Sequence, residues 1–195
     1  MKDLVSFGIV TYNNQDNVIS LMETALKFTN EIIVVDCGST DNTLLRLSPF
    51  KRYINLVEGA TRYHFGDLNN MVVSRTTLPW IFFPDAKSNI YDFHWETIYN
   101  KLLTTKTQYD AFKFIVNNNS ISKVKKEFSE ILLYKRYCRW VGRTIPRLYG
   151  YSSLCEDWED IIYNKIVLRN FTEEERIKEK SHIEKMKCLL LGNEL

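Results

Sequence analysis

Leu4 to Thr11 (LVSFGIVT) is a short apolar, β-branched run that gives way to the polar turn formers Tyr12-Asn13-Asn14, which predicts a buried strand and its exit loop. Asp16 can cap a following helix, because Val18, Leu21, Met22, Ala25, Leu26 and Phe28 keep helical spacing. Glu31 to Val35 (EIIVV) predicts a second strand, so the opening is a strand-helix-strand unit, parallel and right-handed. A helix from about Asp41 towards Ser48-Pro49, a strand at Tyr53–Val57, a helix over about Asp67–Thr77 and a strand at Trp80–Phe83 extend the alternation. That order predicts an α/β, doubly wound, mostly parallel sheet with helices on both faces. Further on, Asp110–Val116 reads as a strand and Asn117-Asn118-Asn119-Ser120 as a loop. The tail from Thr172 reads as a packing helix, with Thr172 and Glu175 at capping-box spacing.

In such a sheet, ligands bind where loops leave the carboxyl ends of the strands. Thr11–Asn14, Asp36–Thr43 and Pro84–Asn89 should therefore converge on one edge, and their amides, hydroxyls and acids suit a polar ligand such as a nucleotide. The chain has no GxGxxG and no GxxxxGK[ST], so a phosphate-bearing ligand needs another device: a metal ion or a positioned cation.

Composition narrows the partners. With 195 residues, 45% of them hydrophobic, one compact domain is expected over 1–195, with a ligand-binding half at 1–90, a second half at 91–171 and the helix at 172–195. A net charge of +2, from 26 basic and 24 acidic residues, excludes a nucleic-acid coat and leaves room for a local basic patch. Cys37, Cys138, Cys155 and Cys188 lack paired spacing, so reduced thiols are expected rather than zinc or disulfides. Met1-Lys2-Asp3 leads straight into the first strand without a signal-peptide core, and no apolar run is long enough to span a bilayer. A soluble, cytoplasmic protein is expected, with at most peripheral membrane contact.

The second half carries a cationic feature. Ile131 to Cys155 holds no acid but contains Lys135, Arg136, Arg139, Arg143 and Arg147, interleaved with Tyr134, Tyr137 and Trp140. The plain reading is a solvated basic face with its aromatics turned into the core; the functional one is contact with an anionic acceptor or a diphosphate.

The stretch IVTYNNQDNVISLMETALKFTNEIIVVDCGSTDNT (Ile9–Thr43) resembles the opening of family-two glycosyltransferases of the GT-A fold. FGDLNNMVVSRTTLPWIFFPDAK (Phe65–Lys87) is similar to the family's metal-motif segment, most of all in its lipopolysaccharide-core-like branch. Beyond Tyr91 the likeness rests on PRLYGYSSLCED (Pro146–Asp157) and the C-terminal helix. The resemblance implies a Rossmann-like GT-A domain and an inverting glycosyltransferase that moves a sugar from a nucleotide-diphosphate sugar to an acceptor hydroxyl. The alternative is a non-catalytic sugar-nucleotide or glycan-binding module of the same fold.

Carried over by position, Thr11, Tyr12, Asn13, Asp36, Cys37, Gly38, Asn70, Asp85 and Lys87 would bind the nucleotide sugar, and Arg143 and Arg147 the acceptor or the diphosphate. Cys37 stands where the family often has a second acid, and a thiol is a poor partner for uracil. Lys87 stands at the last acid of the family's Asp-x-Asp, leaving Asp85 as the candidate metal ligand. The implied Mn²⁺ or Mg²⁺ therefore competes with a metal-sparing site in which Lys87 neutralises the diphosphate. Asp157, with Glu156 second, matches the position of the general base. The acceptor would be a glycan, a lipid-linked molecule or a protein, and not a nucleic acid.

Overall fold

The computed structural model describes residues 2–60, 64–90, 95–104, 109–118, 126–142, 146–152, 154–155 and 166–168. The alternation expected for the first ninety residues is present: β1 (Val5–Thr11), α1 (Val18–Phe28), β2 (Ile32–Asp36), α2 (Thr43–Leu47), β3 (Ile54–Val57), α3 (Phe65–Arg75) and β4 (Trp80–Phe82). It continues with β5 (Ser88–Ile90), α4 (Trp95–Thr104), β6 (Ala111–Asn118), β7 (Lys126–Lys135), β8 (Arg139–Val141), β9 (Arg147–Tyr149), β10 (Leu154–Cys155) and β11 (Ile166–Leu168). The main sheet has the order β3-β2-β1-β4-β7-β6-β11-β5, with β10 also on β6, and β8 and β9 form a separate hairpin. β1 pairs in parallel with β2 and β4, and β2 with β3. β7 is antiparallel to both β4 and β6, so the sheet is mixed but mostly parallel, as the sequence predicts.

Period-two alternation along each strand decides which helix lies on which face. Phe7, Ile9, Val34 and Phe82 point to the side covered by α1 through Leu21, Met22, Ala25 and Phe28, and by α4 through Ile98, Tyr99 and Leu102. Ile33 and Val35 point to the other side, beneath Leu68 and Val72 of α3. There Ile81, Ala111 and Tyr134 continue the layer under Val73, Cys138 and Leu148, which brings the β8–β9 hairpin onto the sheet beside α3. Truncating a ring as buried as Phe82 to Ala would cost about 3–5 kcal/mol.

The structure corrects several boundaries. α1 starts after Asn17 rather than being capped by Asp16, and no side chain caps it. α3 begins at Phe65, two residues before the expected start, because His64 Nδ1 accepts a hydrogen bond from the Asp67 amide. β6 runs on through Asn117 and Asn118, paired with Glu127 and Lys126, so ladder hydrogen bonding overrides the local turn preference of asparagine. The tail from Thr172 lies outside the described residues.

Candidate functional site at the carboxyl edge of the sheet

β1, β2 and β4 are parallel, so their exit loops share an edge, and side-chain hydrogen bonds lock these loops together. The Cys37 amide donates to the Thr11 carbonyl at 2.9 Å, continuing the β1–β2 ladder by one step. Asn13 sits at φ 47°, a left-handed conformation that asparagine tolerates. From there its amide N–H donates to Ser39 Oγ at 2.9 Å, while its Oδ1 accepts from the Thr40 amide at 2.8 Å. The Asn14 amide donates to Thr43 Oγ1 at 2.7 Å, and the Gln15 amide to Asp41 Oδ2 at 3.1 Å. The third loop is held by its Ala86 carbonyl, which accepts from Asn14 Nδ2 at 2.5 Å and Asn17 Nδ2 at 3.1 Å. The expected convergence of the three segments is therefore a hydrogen-bonded unit.

Within it the candidate residues divide by what their polar atoms already do. Asp36 is fully buried, and its carboxylate organises its own loop: Oδ2 accepts from the Gly38 and Ser39 amides, both at 2.9 Å, and Oδ1 from Ser39 Oγ at 2.5 Å. Gly38 makes that turn feasible at φ 74°, where a side chain would be strained. Thr11 is 1% exposed, and its Oγ1 is a buried hydroxyl with no hydrogen-bond partner among the described residues. Cys37 is buried against Ile33, Val35, Leu68 and Val72, with Tyr12 and Phe65 partly covered beside it. Its thiol thus faces the apolar layer under α3.

Asn70, placed at the nucleotide sugar by the resemblance, has its amide engaged within the fold. Its Oδ1 accepts from the Trp140 amide at 2.8 Å and its Nδ2 donates to the Trp140 carbonyl at 2.7 Å, so the side chain clamps α3 to β8. A second close approach lies one turn earlier, where the Gly66 amide donates to the Gly142 carbonyl at 3.1 Å. A Cβ on Gly66 would come within 2.6 Å of that carbonyl oxygen, so only glycine admits the hairpin there. These contacts bring Gly142 to the first turn of α3 at the carboxyl edge.

Asp85 is exposed at the tip of the third loop, with Oδ1 accepting from the Lys87 amide at 2.7 Å, and Lys87 is half-buried next to it. Among the described residues no three His, Cys, Asp or Glu side chains come together to hold a metal ion. One carboxylate with an ammonium nearby fits a divalent cation only when the ligand's own phosphate oxygens complete the shell, a pattern common for Mg²⁺. Arg147 is exposed at the start of β9, while Arg143, Glu156 and Asp157 lie outside the described residues. β10 runs parallel to β6, with Leu154 opposite Ala111 and Cys155 opposite Phe112.

The loop fasteners Asn14, Asn17, Ser39, Thr40 and Asp41 were not singled out in the sequence. Their signal was the density of Asn, Ser, Thr and Asp directly after two strand ends, the composition that ties loops through side-chain hydrogen bonds. Also missed were two acids at the opposite edge. Burial alone would raise the Glu31 carboxyl, but donors from Ser6, Thr77 and Leu78 outweigh it and hold the group below its usual range. Burial likewise opposes ionisation of Asp110, yet Lys135 at 2.8 Å, the Ser152 hydroxyl at 2.6 Å and Tyr137 hold it far below the carboxylate range.

The model of the family described as Glycosyl transferase family 2 matches residues 6–157. Among solved structures, that of S. aureus TarS aligns with a TM-score of 0.49 and 18% identity, over 62% of this chain and 22% of that one. S. aureus TarS 1-349 in complex with UDP gives 0.48 and 19%, over 62% and 37%. Glucosyl-3-phosphoglycerate synthase from Mycobacterium tuberculosis, in complex with Mn²⁺, UDP and glucosyl-3-phosphoglycerate, gives 0.46 and 19%, over 62% and 45%. The chain thus aligns with less than half the length of each of these proteins. A search of curated proteins gives no match.

Proposed function

The chain belongs to glycosyl transferase family 2, and we propose that it transfers a sugar from a nucleotide-diphosphate sugar to an acceptor hydroxyl with inversion at the anomeric carbon. Within the family we place it nearest the lipopolysaccharide-core-like branch, on the segment Phe65–Lys87. The observation that carries the reading is the locked carboxyl edge: loops after β1, β2 and β4 fastened to one another, with an exposed acid and a lysine at the tip of the third. Such an edge presents amides and hydroxyls to a nucleoside and a cation to its diphosphate.

In this mechanism the ordered loops at Thr11–Asn14 and Asp36–Ser39 hold the nucleoside, and Tyr12 offers a partly covered ring at its side. Asp157, or Glu156 one position earlier, takes the proton from the acceptor hydroxyl. The oxygen then attacks the anomeric carbon from the face opposite the diphosphate, and the bond to the phosphate oxygen breaks with its electron pair leaving on the diphosphate. Lys87 neutralises the charge that develops there. A divalent cation arriving with the diphosphate would be held by Asp85 and would supply Lewis-acid stabilisation. Arg143 and Arg147 attract an anionic acceptor or steady the diphosphate, and the acceptor itself is a glycan, a lipid-linked molecule or a protein.

A thermal-shift panel of nucleotide sugars, with and without Mn²⁺, tests the reading, since a ligand that binds the native state raises the melting temperature by mass action. At least one sugar nucleotide should stabilise the protein and be hydrolysed or transferred. Stabilisation without turnover under any metal condition would favour the binding module, to which the substitution of an acid by Lys87 already leans. No stabilisation by any nucleotide sugar would overturn the transferase and the sugar-nucleotide module alike, leaving only the glycan-binding module.

A further inference from the structure

Among the described residues the β8–β9 hairpin packs one face against the fold and leaves the other exposed, with Arg139 Nη1 also donating to the Arg136 and Cys138 carbonyls at 2.7 and 2.9 Å. Trp140 and Leu148 point inwards, Trp140 donating from its indole to Tyr134 Oη at 2.9 Å and Leu148 remaining only 8% exposed. The outward positions are Arg139 opposite Tyr149 and Val141 opposite Arg147. In each cross-strand pair a guanidinium therefore stands beside an apolar or aromatic side chain. Val141 is 56% exposed, Tyr149 53%, and Tyr137, just ahead of the hairpin, 54%. The stretch from Ile131 to Cys155 holds no acid at all, so nothing within it offsets these cations.

We propose that the outer face of this hairpin docks the protein on an anionic lipid surface. The alternation of chemistry decides between occupants. A phosphate polymer such as RNA would use the guanidinia and could stack on the tyrosines, but Val141 has neither a ring nor a hydrogen-bonding group to offer it. A lipid interface uses all four positions: guanidinia at the headgroup phosphates, the tyrosine ring at the boundary, and the valine on the acyl side. The proposed contact is peripheral, made by the exposed side chains of a two-stranded hairpin. Because Gly142 is hydrogen-bonded to the first turn of α3, the docked face lies next to the carboxyl edge, and the proposed donor site would open beside the membrane surface. This consequence rests on the proposed function; the docking itself does not.

The test is co-sedimentation of the full chain with phosphatidylcholine vesicles, alone or with about 30% phosphatidylglycerol, in the absence of any sugar nucleotide. The protein should partition onto the anionic vesicles, and high salt should weaken but not abolish the partitioning. Replacing Arg139 and Arg147 together by Gln should lower the partition coefficient by about tenfold or more. Replacing Val141 and Tyr149 together by Ser should lower it about tenfold and remove the salt-resistant part, with the melting temperature unchanged. Absence of sedimentation at low salt, or indifference to both pairs, overturns the proposal. So does tighter binding to polyuridylate RNA with no effect of the Val141 and Tyr149 pair, which would assign the face to nucleic acid. Failure of the glycosyl-transfer reading would show in the nucleotide-sugar panel and leave the sedimentation result untouched.

Discussion

The two edges of the main sheet use acids in opposite ways. At the amino edge, Glu31 and Asp110 are surrounded by donors: Ser6, Thr77 and Leu78 around one, Lys135, Ser152 and Tyr137 around the other. Both are held ionised and both fasten segments of chain, Glu31 tying the start of β2 to the α3–β4 connection and Asp110 tying β6 to β7 and to Ser152. At the carboxyl edge the loops are fastened mainly by amides and hydroxyls, and Asp85 is left exposed at a loop tip. An acid saturated with donors thus marks architecture. Chemistry should be sought where neutral groups build the scaffold and charge is left at the surface. Asp36 and Asp41 stand between the two cases, since both lie at the carboxyl edge but fasten its loops through their carboxylates.

The sharpest way to break this contrast is the proposed base. Asn matches Asp157 in shape but cannot take a proton, so Asp157→Asn should cut transfer by about 10²–10⁴-fold while donor affinity and melting temperature stay unchanged. Glu156→Gln controls for a shift of one position. If neither substitution slows transfer to a working acceptor, neither acid is the base.

Asp110 should show the reverse behaviour. Asp110→Asn leaves the Lys135 ammonium, only 20% exposed, without its partner, and removing one member of such a pair should cost about 3 kcal/mol. For a chain of this size that corresponds to a fall in melting temperature of about 6–12 °C, whereas donor affinity measured well below the transition should not change. The pH dependence follows from the same group. Because the folded carboxyl binds its proton less readily than the unfolded one, its stabilisation is complete above the unfolded value of about 4. It is lost as pH falls from there towards the lowered folded value. Glu31 contributes in the same direction. Acid melting curves of wild type and Asp110→Asn should therefore converge as pH drops, and parallel curves would separate Asp110 from acid stability.

Lys87→Ala probes the charge left at the carboxyl edge. If the ammonium neutralises the leaving diphosphate, turnover should fall about tenfold and donor affinity by much less, since the charge to be met grows in the transition state. Activity should also persist in part in EDTA. Complete and reversible loss in EDTA, with Lys87→Ala neutral, would give the whole of that work to a cation on Asp85.

The donor half was legible in the sequence because local patterns and final contacts agree there. Apolar runs became β1 to β4, and polar clusters after strand ends became the interlocked loops. The second half was read poorly for identifiable reasons. Trp95, Ile98, Tyr99 and Leu102 carry the helical spacing of α4, but no strand flanked them clearly enough to place it. The acid-free segment looked like a basic patch, and its division into an inward Trp140–Leu148 layer and an outward Arg–Tyr–Val layer depends on a hairpin register that long-range packing sets. Asn70 was assigned by resemblance alone, and its bond to the backbone of Trp140, seventy residues away, has no signal in the local pattern.

That amide supplies the smallest effect. Asn70→Ala removes two hydrogen bonds to the Trp140 backbone, and the main-chain groups it leaves behind are only partly buried, so water can replace part of what is lost. The expected cost is about 1 kcal/mol, a drop of about 2–4 °C in melting temperature. Donor affinity should hold, because the side chain meets the hairpin rather than the interlocked loops. A loss of sugar-nucleotide binding at unchanged melting temperature would return Asn70 to the donor site. It would also show that the α3 face contributes ligand contacts as well as architecture.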